Sequence, residues 1–174
     1  IRYSGYVLSG NSELQSLTLQ GVGSGTVLDH IQSVNSSDDA IEVFGGRVNM
    51  KRLVLVGAED DYLDTDTGVK ANFQYVIGVQ RQGIGNGMIE ADSDNALDGQ
   101  TPRQNVNLAN FTFIHRNNTG DTSAAMLLRG GTDYTMVNGV VSAPNYPCLR
   151  VSRTQTASAT QDATIDEFGA PRFR

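Results

Sequence analysis

Thr26-Val27-Leu28-Asp29-His30-Ile31-Gln32-Ser33-Val34-Asn35, set above Arg47-Val48-Asn49-Met50-Lys51-Arg52-Leu53-Val54-Leu55-Val56-Gly57, brings apolar residues into register at a shift of 22 positions. Ala71-Asn72-Phe73-Gln74-Tyr75-Val76-Ile77-Gly78-Val79 and Asn105-Val106-Asn107-Leu108-Ala109-Asn110-Phe111-Thr112-Phe113-Ile114 fit the same template, and Tyr134-Thr135-Met136-Val137-Asn138-Gly139-Val140-Val141 is a weaker copy. After a polar turn each is followed by a shorter apolar segment, and the marker residues of those segments are Leu19, Ile41, Leu63, Ile89, Met126 and Leu149. The intervals between them are 22, 22, 26, 37 and 23 residues. The long intervals carry Gly83-Ile84-Gly85-Asn86-Gly87 and the polar runs 93–103 and 117–123, which are loop compositions inserted at corners.

Internal self-similarity of this kind decides the fold before any single element does. A leucine-rich repeat of similar length needs helical periodicity after each strand, and none is present. A β-sandwich needs hairpins closed by tight two-residue turns, which do not recur. Short strands with Gly, Asn or Asp at the corners predict a right-handed, single-stranded parallel β-helix: a solenoid with rungs of about 22 residues, rising by roughly 4.8 Å per turn. The helical domain is expected over residues 1–151, its first residues Ile1-Arg2-Tyr3 reading as the interior of a strand in a truncated end. Residues 152–174, rich in Ser, Thr, Gln and Ala, read as a tail or partial cap.

Composition narrows the function classes. The chain of 174 residues carries 19 acids against 13 bases, a net charge of -6, so it offers no uniform positive field for a phosphate backbone, and nucleic acid is not an expected partner. No apolar run approaches the roughly 20 residues of a membrane-crossing helix. The single cysteine, Cys148, rules out an internal disulfide framework and reads as a buried, inert thiol at a strand start. The two histidines, His30 and His115, read as exposed and several rungs apart, which leaves no basis for a His-based metal site or a Ser/His/Asp triad.

In a strand successive side chains point to opposite faces, so Ile41 and Val43 inside place Glu42 and Phe44 outside. Stacked rungs then build columns. One reads Gln20, Glu42, Asp64, Glu90, Leu127, Arg150, and its neighbour reads Phe44, Asp66, Asp92, Arg129, Ser152. Carboxyls one rung apart raise one another's pKa or share a cation. Glu42, Asp64 and Glu90 are therefore the candidate acid/base residues, with Phe44, Asp66, Asp92, Arg129 and Arg150 as candidate ligand contacts. Asp60-Asp61-Tyr62-Leu63-Asp64-Thr65-Asp66-Thr67-Gly68 makes Asp60, Asp61, Asp64 and Asp66 the candidate Ca²⁺ ligands, although the spacing is not that of an EF-hand. Asp38-Asp39 and Asp60-Asp61 also align at 22, and paired aspartates at a corner serve equally well as caps for backbone N–H groups. An acidic strip is also a solvated face that discourages lateral pairing. No cofactor is required on this reading; Ca²⁺ is the one candidate.

The motifs Asp38-Asp39-x-x-Glu42-x-Phe44-Gly45-Gly46-x-Val48 and Asp60-Asp61-x-x-Asp64-x-x-x-Gly68, with Glu90-Ala91-Asp92, Thr101-Pro102-Arg103, Asn110 to Ile114 and Met126 to Thr132, resemble a family of secreted bacterial proteins, lipoproteins among them. These are built on parallel β-helices of the pectate-lyase-like type. The resemblance spans most of residues 17–151 and supplies no catalytic residues. It implies an extracellular or outer-membrane-associated protein, longer than this chain and begun by an export signal; the function expected of the chain is a module whose elongated face contacts polysaccharide, cell-surface glycan or another macromolecule, with no catalysis required. Enzymes on this fold are lyases and hydrolases of polysaccharides, which is the alternative reading. A third is a structural spacer: residues 1–102 hold 14 acids and 6 bases, residues 103–174 hold 5 acids and 7 bases, and such ends attract in stacking on a longer parent chain or in self-assembly.

Overall fold

A computed structural model describes residues 1–10, 12–93, 99, 101–120, 122–154 and 156, together with the backbone of strands at 164–165 and 171–172. Short strands β3 (Thr18–Gln20), β5 (Glu42–Phe44), β7 (Asp64–Asp66), β9 (Ile89–Asp92), β11 (Met126–Leu128) and β13 (Arg150–Val151) stack in that order as one parallel sheet. Long strands β4 (Leu28–Val34), β6 (Arg47–Val56), β8 (Lys70–Val79), β10 (Asn105–Ile114) and β12 (Asp133–Ser142) stack as the second. Short and long strands alternate along the chain, so it winds through about 5 turns of the parallel β-helix that the repeat predicts. At the two ends lie antiparallel hairpins, β1 (Tyr6–Ser9) with β2 (Ser12–Leu14) and β14 (Thr164–Ile165) with β15 (Pro171–Arg172). Most of the expected tail, and residues 94–98 of the second inserted loop, lie outside the described residues.

The long-strand alignment at 22 is the register found: Leu28 stacks on Met50, Met50 on Phe73 and Phe73 on Leu108. The first short strand is set differently from the expectation. Thr18 stands over Glu42 and Leu19 over Val43, a shift of 24, so Leu17 rather than Leu19 heads the inner column of Ile41, Leu63 and Ile89. The corner between β3 and β4 absorbs the two additional residues, and because side chains alternate with period 2, the slip keeps every residue on its face.

Each long strand has a bend that the sequence does not announce. His30, Arg52, Tyr75, Asn110 and Asn138 have φ between 53° and 59°, the left-handed region, and they occupy the same place in all five rungs. In β6, Val48 and Met50 face inward, Lys51 and Arg52 both face out, and Leu53 and Leu55 face inward again. The left-handed residue thus resets the pleat, and both arms of one strand bury their apolar side chains in the same interior. That interior holds Met50, Leu53, Leu55, Leu63, Ile89, Leu108 and Phe113, all fully buried, and truncating any one of the leucines to Ala costs about 2–5 kcal/mol. Two large rings need a gap in the neighbouring rung. Phe111 stacks on Gly139 and Phe113 on Gly78, where an added Cβ would come within 2.1 Å and 2.9 Å of the respective rings.

The inserted loop 83–87 is fastened to the solenoid by buried amides. Gln80 Oε1 accepts the N–H groups of Arg116 and Asn117 at 2.7 Å, while Asn117 Nδ2 donates to the Gly85 carbonyl at 2.6 Å. This loop also covers His115, which is fully buried rather than exposed as its sequence position suggests. Its Nε2 lies 3.0 Å from the Asn86 carbonyl, its ring meets the edge of Tyr146 at 5.4 Å, and burial lowers its pKa. Cys148 departs from expectation in the opposite sense: it is exposed, since the rung it belongs to is the last of its sheet among the described residues.

Candidate functional site

From Glu42 onward the outward columns of the short sheet are those read from the sequence. Glu42, Asp64, Glu90, Leu127 and Arg150 stack in register, and Phe44, Asp66 and Asp92 stack beside them. Gln20 belongs with Phe44 rather than Glu42, and Thr18 takes its place. Arg129 follows β11 and reaches back one rung: its guanidinium pairs with Glu90 Oε1 at 2.5 Å and donates through Nε to Asp92 Oδ2 at 2.9 Å. Arg150 is exposed at the far end of the column, apart from this pairing.

The corner preceding β5 and β7 adds four further carboxyls. Asp39 Oδ1 accepts the Asp61 N–H at 2.8 Å, and Asp61 Oδ1 accepts the Gly87 N–H at 2.6 Å, so these two side chains form a capping ladder from rung to rung. Asp38 and Asp60 point beside them, Asp38 accepting from Gln15 Nε2 at 3.2 Å. The result is dense. Carboxylate oxygens of Asp38, Asp39 and Asp60 lie within 4.8 Å of one another, and so do those of Asp39, Glu42 and Asp64. Of the expected Ca²⁺ set, Asp60 and Asp64 enter these two groups; Asp61 is occupied in capping, and Asp66 stacks between Phe44 and Asp92. Asp38 and Asp39 carried a signal, their alignment with Asp60-Asp61, but only folding shows that the corner and the sheet column converge.

None of the ion pairs among the described residues reaches this group of acids. Glu42 is only 7% exposed, and its Oε2, like Asp64 Oδ1, has no hydrogen-bond partner among the described residues. Burial, reinforced by repulsion from Asp66 and Asp38, pushes the Glu42 carboxyl up to about 8. Burial and then Asp38 push Asp60 up to about 6, and Asp39, Asp61 and Asp64 are raised well above the ordinary carboxylate range by burial first and then by a neighbouring carboxyl, Asp64 for Asp39, Asp39 for Asp61 and Asp61 for Asp64. Beside the strip a shallow cavity of about 450 Å³ is lined by Glu13 and Gln15 from the hairpin segment and by Thr18, Gln20 and Phe44 from the sheet. Chemically, the arrangement offers closely spaced oxygen donors for a hard cation at one end and an arginine clamp at the other.

A family model described as a pectate-lyase like beta helix domain matches residues 1–169. The chain belongs to that family. No curated protein and no solved structure matches this pectate-lyase-like β-helix protein at a significant level. The family assignment agrees with the winding and register above, and the chemistry of the acidic face must be argued from its own residues.

Proposed function

We propose that this β-helix is a saccharide-binding module whose short-sheet face holds a divalent cation, Ca²⁺ foremost, among Asp39, Glu42 and Asp64 with Asp38 and Asp60 adjoining. The observation that carries the reading is the Glu42 carboxyl: almost wholly buried, facing two other carboxyls, and, among the described residues, with one oxygen lacking any donor and no ion pair to a base. Ionising such a group without a positive partner is costly, and a hard cation with oxygen ligands removes that cost. Phe44 and the shallow cavity next to it provide a place for a sugar ring, and Arg129 sits three rungs along the same face. The extracellular setting implied by the family resemblance suits a site of modest affinity, with Kd of roughly 10⁻⁴–10⁻³ M.

Calorimetric titration of the chelator-treated protein with CaCl₂ at pH 8 tests the cation, followed by a glycan array with and without Ca²⁺. Heat of binding that disappears in Asp64→Asn, and glycan retention that requires the ion, are the expected results. No binding of Ca²⁺ to the native protein up to 10⁻² M, an order above the expected range, sinks the reading.

One observation favours a catalytic alternative. A Glu42 carboxyl held near 8 is protonated at neutral pH beside Asp64 and Glu90, and a proton donor beside stacked carboxyls is the arrangement that glycoside cleavage uses. Turnover of acidic polysaccharides that is lost in an Asp64→Asn, Asp66→Asn double variant would establish it; binding without turnover leaves the module reading in place.

A further inference from the structure

On the first arm of the long strands, a different face of the solenoid carries a different chemistry. Arg47 stacks on Lys70, and Asn49, Asn72 and Asn107 stack in a column beside them. The three amides form a directional ladder: Asn107 Nδ2 donates to Asn72 Oδ1 at 2.9 Å, and Asn72 Nδ2 donates to Asn49 Oδ1 at 2.7 Å. Hydrogen bonds in a chain polarise one another in one sense. The Asn49 end therefore presents an amide N–H pair uncommitted among the described residues, on the rung of Arg47, with Lys70 one rung on, and these line a cavity of about 300 Å³ together with Ser24. The Asn107 end presents an acceptor that is free among the described residues.

Among the described residues neither Arg47 nor Lys70 forms an ion pair. Asp29 is held by Arg52 at 2.6 Å, and Asp133 by Arg103, also at 2.6 Å. Lys70 spends one N–H on the Arg103 carbonyl, and its ammonium has two more. In a protein of net charge -6 this is a local concentration of positive charge and hydrogen-bond donors at one point.

We propose that this groove binds a sulfated saccharide strand, its sulfate seated at the Asn49 end between Arg47 and Lys70 and its hydroxyls laid along the amide ladder. Donors approach that point from two rungs, which suits a tetrahedral anion whose three terminal oxygens splay in different directions from sulfur; a carboxylate, flat about its carbon, is met by an arginine fork alone. The ladder spans three rungs, roughly 10 Å between its ends, and amide groups exchange hydrogen bonds with hydroxyls as donor and acceptor alike. A nucleic acid strand fits less well, since the outward residues of this arm, Arg47, Asn49, Lys51, Lys70, Asn72 and Asn107, give bases no aromatic ring on which to stack.

The test is calorimetric titration of the full chain, in chelator so that the acidic face takes no part, with a sulfated dextran oligosaccharide, its unsulfated counterpart, a uronate oligosaccharide of equal length and inorganic sulfate. Binding of the sulfated oligosaccharide that weakens with added salt, and that falls by about tenfold or more in an Arg47→Gln, Lys70→Gln double variant, is expected. Arg47→Lys, which keeps the charge, should stay within about threefold. Both side chains reach solvent, and an unchanged melting curve certifies the fold of each variant. The proposal is overturned if the unsulfated strand binds equally, if the uronate strand binds as tightly, if inorganic sulfate matches the oligosaccharide, or if the double variant binds as the native chain does. Glu42→Gln should leave this binding unchanged, so failure here and failure of the cation reading are separate outcomes.

Discussion

The same rungs display two polar faces, and they treat their side chains in opposite ways. On the short sheet, Glu42 and the corner aspartates are crowded, largely buried and short of hydrogen-bond donors. On the first arm of the long sheet, Asn49, Asn72 and Asn107 are exposed and bonded to one another. Both columns arise from one repeat stacked in register. The difference lies in what flanks the column: a corner that folds Asp38, Asp39, Asp60 and Asp61 against the short strands on one side, open solvent on the other. Stacking multiplies whatever a position carries, so identical carboxyls repel cumulatively while identical amides satisfy each other.

The largest expected effect sharpens this contrast through pH. A carboxyl whose pKa is raised by folding holds its proton more tightly in the native state than in the unfolded one, so its contribution is complete below the unfolded value and is lost as pH rises through the folded value. For Glu42 the window runs from 4.5 to about 8, and for Asp60 from 3.8 to about 6. Melting in chelator should therefore show stability falling between pH 5 and pH 8, by roughly 5–10 °C in Tm, with Glu42→Gln flattening the upper part of the fall. A Tm that rises across that interval would mean the acidic face is solvated after all.

Arg129→Ala comes next. It strips both Glu90 and Asp92 of their cation at a half-buried site and should cost about 2–3 kcal/mol by denaturant unfolding, a loss that Arg129→Lys restores in part. The smallest effect belongs to the exposed ladder. Asn72→Ala removes two side-chain hydrogen bonds in solvent and should cost less than about 1 kcal/mol; a loss as large as that of Arg129→Ala would erase the distinction between the faces.

The winding was legible because apolar spacing and corner aspartates repeat together at 22, and because a buried ladder tolerates few substitutions. The first short strand was misplaced by two residues since a corner can lengthen without disturbing the sheet, and nothing in the glycine-rich stretch 21–25 states how much chain it consumes. Glu42, Asp64 and Glu90 were legible as a column by strand alternation alone. The approach of Asp38 and Asp39 to that column was not, because it depends on how the corner folds back. His115 was misread for a related reason: an inserted loop, not its own strand, buries it.

The left-handed bend has a further consequence. His, Arg, Tyr and Asn all occupy it, and Arg and Tyr have no preference for that conformation, so there the conformation is imposed by the arms on either side. A ridge whose pitch is set by its neighbours is free to vary in chemistry. Five side chains protrude from it, one per turn, and a change among unbranched residues there would alter what the edge of the solenoid presents to a partner while leaving the coil beneath it as it was.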